Sequence, residues 1–140
     1  MTSFKLHPQL AADCLDVGAL PLCRLLLRLD ARYPWFILVP QRPDLTEIHQ
    51  LPASERVQLI EESARLSQSM EAAYRPDKLN IAALGNQVPQ LHLHHIARYR
   101  SDSAWPQPVW GHLPPVPYEA GVAETRVAEM RLMLADQLQD

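Results

Sequence analysis

The chain has 140 residues, 47% hydrophobic and 21% charged, with a formal net charge of −3. That length suits one domain burying about two thirds of its unfolded surface, and the slightly acidic balance excludes a nucleic-acid binder built on a basic field. No apolar run approaches the roughly 18 residues of a membrane span, and the opening MTSFKLHPQLAADC has no apolar leader segment; with Cys14 and Cys23 outside any CxxC spacing, a reduced, cytoplasmic setting is expected.

Residues 3–13 read as a short helix or an irregular arm. Leu22-Cys23-Arg24-Leu25-Leu26-Leu27-Arg28-Leu29, bounded by Pro21 and Asp30, is expected to be a strand. Trp35-Phe36-Ile37-Leu38-Val39, aromatic and β-branched and stopped by Pro40, is a second. The connector Ala31-Arg32-Tyr33-Pro34 has hairpin length, so these two should pair antiparallel. From Ser54, a candidate N-cap followed by Glu55, Val57, Ile60, Ala64, Ser67, Met70 and Tyr74 recur at helical spacing. That pattern predicts an amphipathic helix ending near Arg75-Pro76, with this stripe against a sheet.

Residues 77–84 read as a third strand broken at Gly85-Asn86, and Pro89-Gln90-Leu91-His92-Leu93-His94-His95-Ile96-Ala97-Arg98 as a fourth. The expected class is therefore α+β, an antiparallel sheet with a packed helix. Residues 101–117 hold five prolines and two tryptophans, Trp105 and Trp110, which excludes regular structure and makes both indoles candidate packing anchors. A last helix over about 118–138 would carry Ala123, Val127, Met130, Leu134 and Leu138 on one stripe.

The histidine stretch carries the chemistry. On a strand, Gln90, His92 and His94 share one face at about 6.6 Å intervals, while Leu91, Leu93 and His95 face the other way. Three readings of that row stand open. It is a solvated polar face; or His92 and His94 present imidazoles to zinc, with further ligands from elsewhere; or one imidazole attacks phosphorus while its neighbour holds a proton and stabilises charge.

The run from Val88 to Arg98 resembles the signature of the histidine triad (HIT) family, His-φ-His-φ-His-φ-φ, where φ is apolar. The strand closing on Val39-Pro40-Gln41-Arg42 and the lead-in Gly85-Asn86-Gln87-Val88 are similar to the family's too, so the resemblance covers about residues 14–105. It implies a HIT-like sheet of about five strands and a HIT-like domain over 1–105; residues 106–140 lie outside the resemblance and are expected to be a proline/tryptophan-rich connector and helix of the same globular unit. It further implies a hydrolase or nucleotidyl transferase acting at the α-phosphate of nucleoside phosphate conjugates, without cofactor or bound metal, as a homodimer with a nucleotide as its partner. His92 matches the nucleophile and His94 the phosphate-contacting histidine; Gln90 stands where the first histidine is usual. Asp30 matches a ribose-binding position, and Asn86 and Gln87 the loop that approaches the phosphate. Trp35 replaces the histidine that commonly supports the first triad member. A nucleotide-binding module without turnover is the main alternative.

Overall fold

The structure is a computed structural model that describes residues 3–140; residues 1 and 2 of the expected 1–105 unit lie outside the described residues. A short helix, α1 (Pro8–Asp13), leads into the strands β1 (Cys14–Ala19), β2 (Cys23–Arg28) and β3 (Trp35–Pro40). A long helix, α2 (Ala53–Tyr74), follows, then β4 (Lys78–Ala82), β5 (Leu93–Arg98) and a last helix, α3 (Val122–Met133). The five strands form one sheet in the order β1-β2-β3-β5-β4, with every neighbouring pair antiparallel. The expected α+β class and strand number are those observed.

Both faces of this sheet are covered, which explains why β2 and β3 read as continuous apolar runs instead of alternating. On one face Leu25, Leu27, Phe36, Leu38, Leu93 and Ala97 pack under α2 and α3, meeting Leu59, Leu66, Met70, Met130 and Leu134. On the other, Leu26, Trp35, Ile37, Val39 and Ile96 lie beneath Leu10 of α1, the N-terminal arm (Phe4, Leu6) and the connector residues Ala104 and Val109. The C-terminal stripe expected from Ala123 to Leu138 does face the core, although α3 itself spans only Val122–Met133.

Three expectations need correction. The first is β1, which no sequence pattern announced. Asp16 is exposed and the register shifts between Asp16 and Gly18, so a bulge breaks the alternation that betrays a strand. Gly18 sits there at φ 150°, and an added Cβ would lie 2.7 Å from Nη1 of Arg131 and 2.9 Å from Cδ2 of Leu138, where the C-terminal segment crosses the strand.

The second is α2. It starts at Ala53 after Pro52, so Ser54 lies inside the first turn and is not the N-cap. Its buried face is Leu59, Glu62, Ser63, Leu66, Ser69 and Met70, while Val57 and Ile60 are 62% and 58% exposed. Polar residues face inward because each has a partner. Glu62 accepts hydrogen bonds from the amides of Leu22 (2.8 Å) and Cys23 (2.9 Å) at the start of β2, and Ser63 Oγ lies 2.7 Å from Nε2 of His95. A buried carboxylate that is hydrogen-bonded is tolerated where an unpaired one is not, and hydropathy alone cannot see the difference. The third correction is the histidine strand, whose ladder begins at Leu93 and leaves Gln90 and His92 in the approach to it.

Candidate functional site

The alternation along β5 decides which histidine meets which layer. His95 points to α2, fully buried. Its Nδ1 is 3.1 Å from the Leu93 carbonyl, which can only accept, so Nδ1 carries the proton and Nε2 takes the Ser63 hydroxyl. Burial holds its pKa down at about 4. It is a satisfied core histidine.

His92 and His94 face the opposite side, with ring centroids 4.9 Å apart and planes at 68°. Nδ1 of His92 lies 2.7 Å from the backbone carbonyl of Gln90. That oxygen must accept, which places the proton on Nδ1 and leaves Nε2 with its lone pair. Burial lowers the His92 pKa below its usual value, the Gln90 carbonyl pulling the other way, so the ring is neutral at pH 7.

His94 has the complementary tautomer. The indole Nε1–H of Trp35 donates to its Nδ1 at 3.0 Å, so a neutral His94 keeps its own proton on Nε2. Burial, reinforced by the charges of His92 and Arg28, brings its pKa down to about 3. One imidazole thus offers a lone pair, and its neighbour an N–H donor. Trp35, expected beside the first triad position, instead fixes the third.

Both rings line a cleft of about 580 Å³ together with Asn86, Gln87, Trp35 and Trp110, a size suited to a mononucleotide. Leu10, Ile37 and Val88 supply apolar wall. Trp110 stands edge-on to His94, centroids 5.1 Å apart, and to Trp35 at 6.0 Å, so the connector brings an aromatic surface to the histidines as well as packing. Cys14 also lines the cleft, but burial pushes its thiol up to about 12 and keeps it protonated, a poor nucleophile. Among the described residues no three His, Cys, Asp or Glu side chains gather into a group that could hold a metal ion.

Of the sequence-predicted residues, His92, His94, Asn86 and Gln87 come together at this cleft. Gln90 and Asp30 are not among its lining residues. The Gln90 carboxamide clips the N-terminal arm, accepting from the His7 amide at 2.9 Å and donating to the Lys5 carbonyl at 2.9 Å. Only its backbone oxygen serves His92. Asp30 is 1% exposed and its carboxylate holds Arg32, at 2.7 and 3.0 Å, and the amide of Val116. Burial alone would raise its pKa, but these hydrogen bonds leave it below the ordinary carboxylate value. Sequence reasoning missed Trp110 as a cleft residue and Arg28 altogether. The only signal for Arg28 was parity, since it shares the cleft-side face of β2 with Leu26.

The HIT domain family model matches residues 10–101. Among solved structures, a histidine triad protein of Marinobacter aquaeolei is 46% identical, with a TM-score of 0.93 over 97% of this chain and 99% of that one. A histidine triad protein of Bradyrhizobium japonicum is 45% identical, at TM-score 0.92 over 94% and 98%, and one of Sinorhizobium meliloti is 39% identical, at 0.90 over 94% and 97%. A comparison with curated proteins finds no match.

Proposed function

The chain belongs to the histidine triad family, and from that premise we propose that it is a nucleotide hydrolase or nucleotidyl transferase working through a nucleotidyl-histidine intermediate. The carrying observation is the hydrogen bond from His92 Nδ1 to the Gln90 carbonyl, which aims an unprotonated Nε2 away from the backbone. Nε2 attacks the α-phosphorus of a nucleoside phosphate conjugate, a dinucleoside polyphosphate or nucleoside phosphoramidate. The N–P bond forms as the bond to the leaving group breaks, and that group departs with a proton from solvent, which the attacking water returns in the second step. Water then attacks the same phosphorus, the N–P bond breaks, and mononucleotide leaves with neutral His92 restored.

His94 contributes its Nε2–H to a phosphoryl oxygen, where negative charge builds in the transition state. Asn86 and Gln87, exposed at the rim, contribute further donors to the substrate. No cofactor or metal enters this scheme. Gln90 acts through its carbonyl and its grip on the arm, and Asp30 through the loop it holds. Incubation at neutral pH with a dinucleoside polyphosphate and with a nucleoside phosphoramidate should release mononucleotide. Failure on both substrates would overturn the enzymatic reading, and tight AMP binding without product would make the protein a nucleotide-binding module.

The homodimer belongs to the same proposal. Among the described residues β4 pairs only with β5 and leaves its outer edge free; Ile81 and Leu84 are 49% and 46% exposed, and Val57 and Ile60 on α2 62% and 58%. An open strand edge next to exposed apolar side chains favours pairing with another chain. Light scattering on the eluted protein should give twice the chain mass of 15.9 kDa, and Ile60→Asp should halve it. A wild-type mass of one chain would remove the dimer. The cytoplasm is the proposed location, supported by two buried, unpaired cysteines. No helix among the described residues is long and apolar enough to cross a membrane.

A further inference from the structure

A phosphate in the cleft needs a positive charge, and neither cleft histidine supplies one. Burial holds both neutral, and their hydrogen bonds fix which nitrogen of each carries the proton. Among the residues lining the cleft there is one arginine and no lysine, Arg28. It closes β2 opposite Cys14, and its guanidinium lies over the Trp35 ring at 5.6 Å from the centroid. Trp35 is the residue that donates to His94, so the charge sits beside the phosphate-facing pair.

The state of this guanidinium differs from that of the arginines that tie the fold together. Arg32, Arg42 and Arg98 each donate hydrogen bonds to carboxylates and carbonyls of the fold. Among the described residues, the Arg28 side chain donates none that meets hydrogen-bond geometry; its one partner is an ion pair with Asp13 at 3.2 Å. The two side chains keep 22% and 37% of their exposure, a setting in which an ion pair contributes little. Stacking on the indole holds the planar group in place while leaving its N–H edges available.

We propose that Arg28 is the phosphate-binding cation of the cleft and that Asp13 is its resting partner, displaced when a nucleotide enters. The inference rests on the cleft being the nucleotide site. The guanidinium fork exchanges one weak carboxylate contact for two charge-assisted N–H···O bonds to phosphoryl oxygens, geometry that suits arginine better than lysine. The cleft then selects a nucleoside bearing an anionic phosphate over the uncharged nucleoside. Asp13, released, adds a local repulsion that limits affinity.

The test is titration of AMP and of adenosine, followed by tryptophan fluorescence, into wild type, Arg28→Gln, Arg28→Lys and Asp13→Asn. Arg28→Gln should weaken AMP by about 10- to 100-fold, the range for losing a charge-assisted contact, with adenosine changed by less than about twofold. Arg28→Lys should fall between, and Asp13→Asn should bind AMP more tightly than wild type. AMP binding unchanged in Arg28→Gln overturns the proposal while leaving the cleft reading intact. Parallel loss of AMP and adenosine also overturns it, because it marks a structural role. Wild type that binds neither ligand overturns both the cleft reading and the role of Arg28.

Discussion

Replacing His92 with alanine is expected to lower kcat on a nucleoside phosphoramidate by on the order of 10⁴-fold or more, the loss seen when a covalent nucleophile is removed. The melting temperature should change little. His92 precedes the β5 ladder, and its one hydrogen bond, to the Gln90 carbonyl, leaves an acceptor beside the open cleft. No buried charge is orphaned. The intermediate supplies a second readout, since acid-labile nucleotidyl label should be retained by quenched wild type and absent from the variant. The pH profile supplies a third. The nucleophile is the neutral ring, and burial lowers its pKa, so protonation should remove activity only below the ordinary histidine value of about 6.5. The rate should be flat through neutrality and fall on the acid side. Full activity in His92→Ala, or a fall already complete at neutral pH, would rule out this nucleophile.

What could be read from the sequence follows from which interactions are periodic. The parity of residues 90 to 96 separated His92 and His94 from His95, and the structure keeps that division: two rings on the cleft, one against Ser63. Parity cannot say where a strand's ladder begins, so Gln90 looked like a third member of the row when its carboxamide is occupied by His7 and Lys5. Asp30 failed for a similar reason. Its place at a strand end was legible, but its partners Arg32 and Val116, one of them 86 positions away, were not. On α2 the outward stripe of Val57 and Ile60 outweighed Glu62 and Ser63 in hydropathy, because the amides of Leu22 and Cys23 and the ring of His95 that satisfy those residues are contacts across the fold. Arg28 and Trp110 enter the cleft from opposite ends of the chain for the same reason. Local pattern separates the two cleft histidines from the core one, and long-range pairing decides what surrounds them.

Arg98 shows how much one such pairing carries. It closes β5, is 1% exposed, and donates to Asp102 at 2.8 and 3.1 Å, to Asn80 Oδ1 at 2.8 Å and to the Gln107 carbonyl at 2.8 Å. The guanidinium also lies 5.6 Å from the Tyr33 ring and 5.7 Å from that of Trp105. Asp102 in turn accepts from the amides of Tyr99, Ala104 and Trp105, so this pair folds the segment that leads to Trp110. Arg98→Met keeps the aliphatic bulk but strands a buried carboxylate and two acceptors, and should cost about 3–5 kcal/mol in urea unfolding. Asp102→Asn on top of Arg98→Met should recover part of it by removing the unpaired charge. Acid should separate this contribution from that of the histidines. Burial alone would raise the Asp102 pKa, but Arg98 and the amides of Tyr99 and Trp105 bring it down to about 2. A depressed carboxylate stabilises above its unfolded value of about 3.9 and loses that stabilisation as pH falls toward its folded value. His94 and His95, depressed to about 3 and about 4, stabilise above about 6.5 and lose it as pH falls below that. Unfolding that begins between pH 6.5 and 4 should therefore persist in Arg98→Met, but its deficit against wild type should narrow as pH falls, because the unpaired carboxylate is relieved by protonation; in Arg98→Met/Asp102→Asn, which lacks that carboxylate, the deficit should stay constant down to about pH 3.9 and narrow only below it. A deficit of the double variant that shrank already near pH 6 would mean that the histidines, and not Asp102, feel the loss of Arg98.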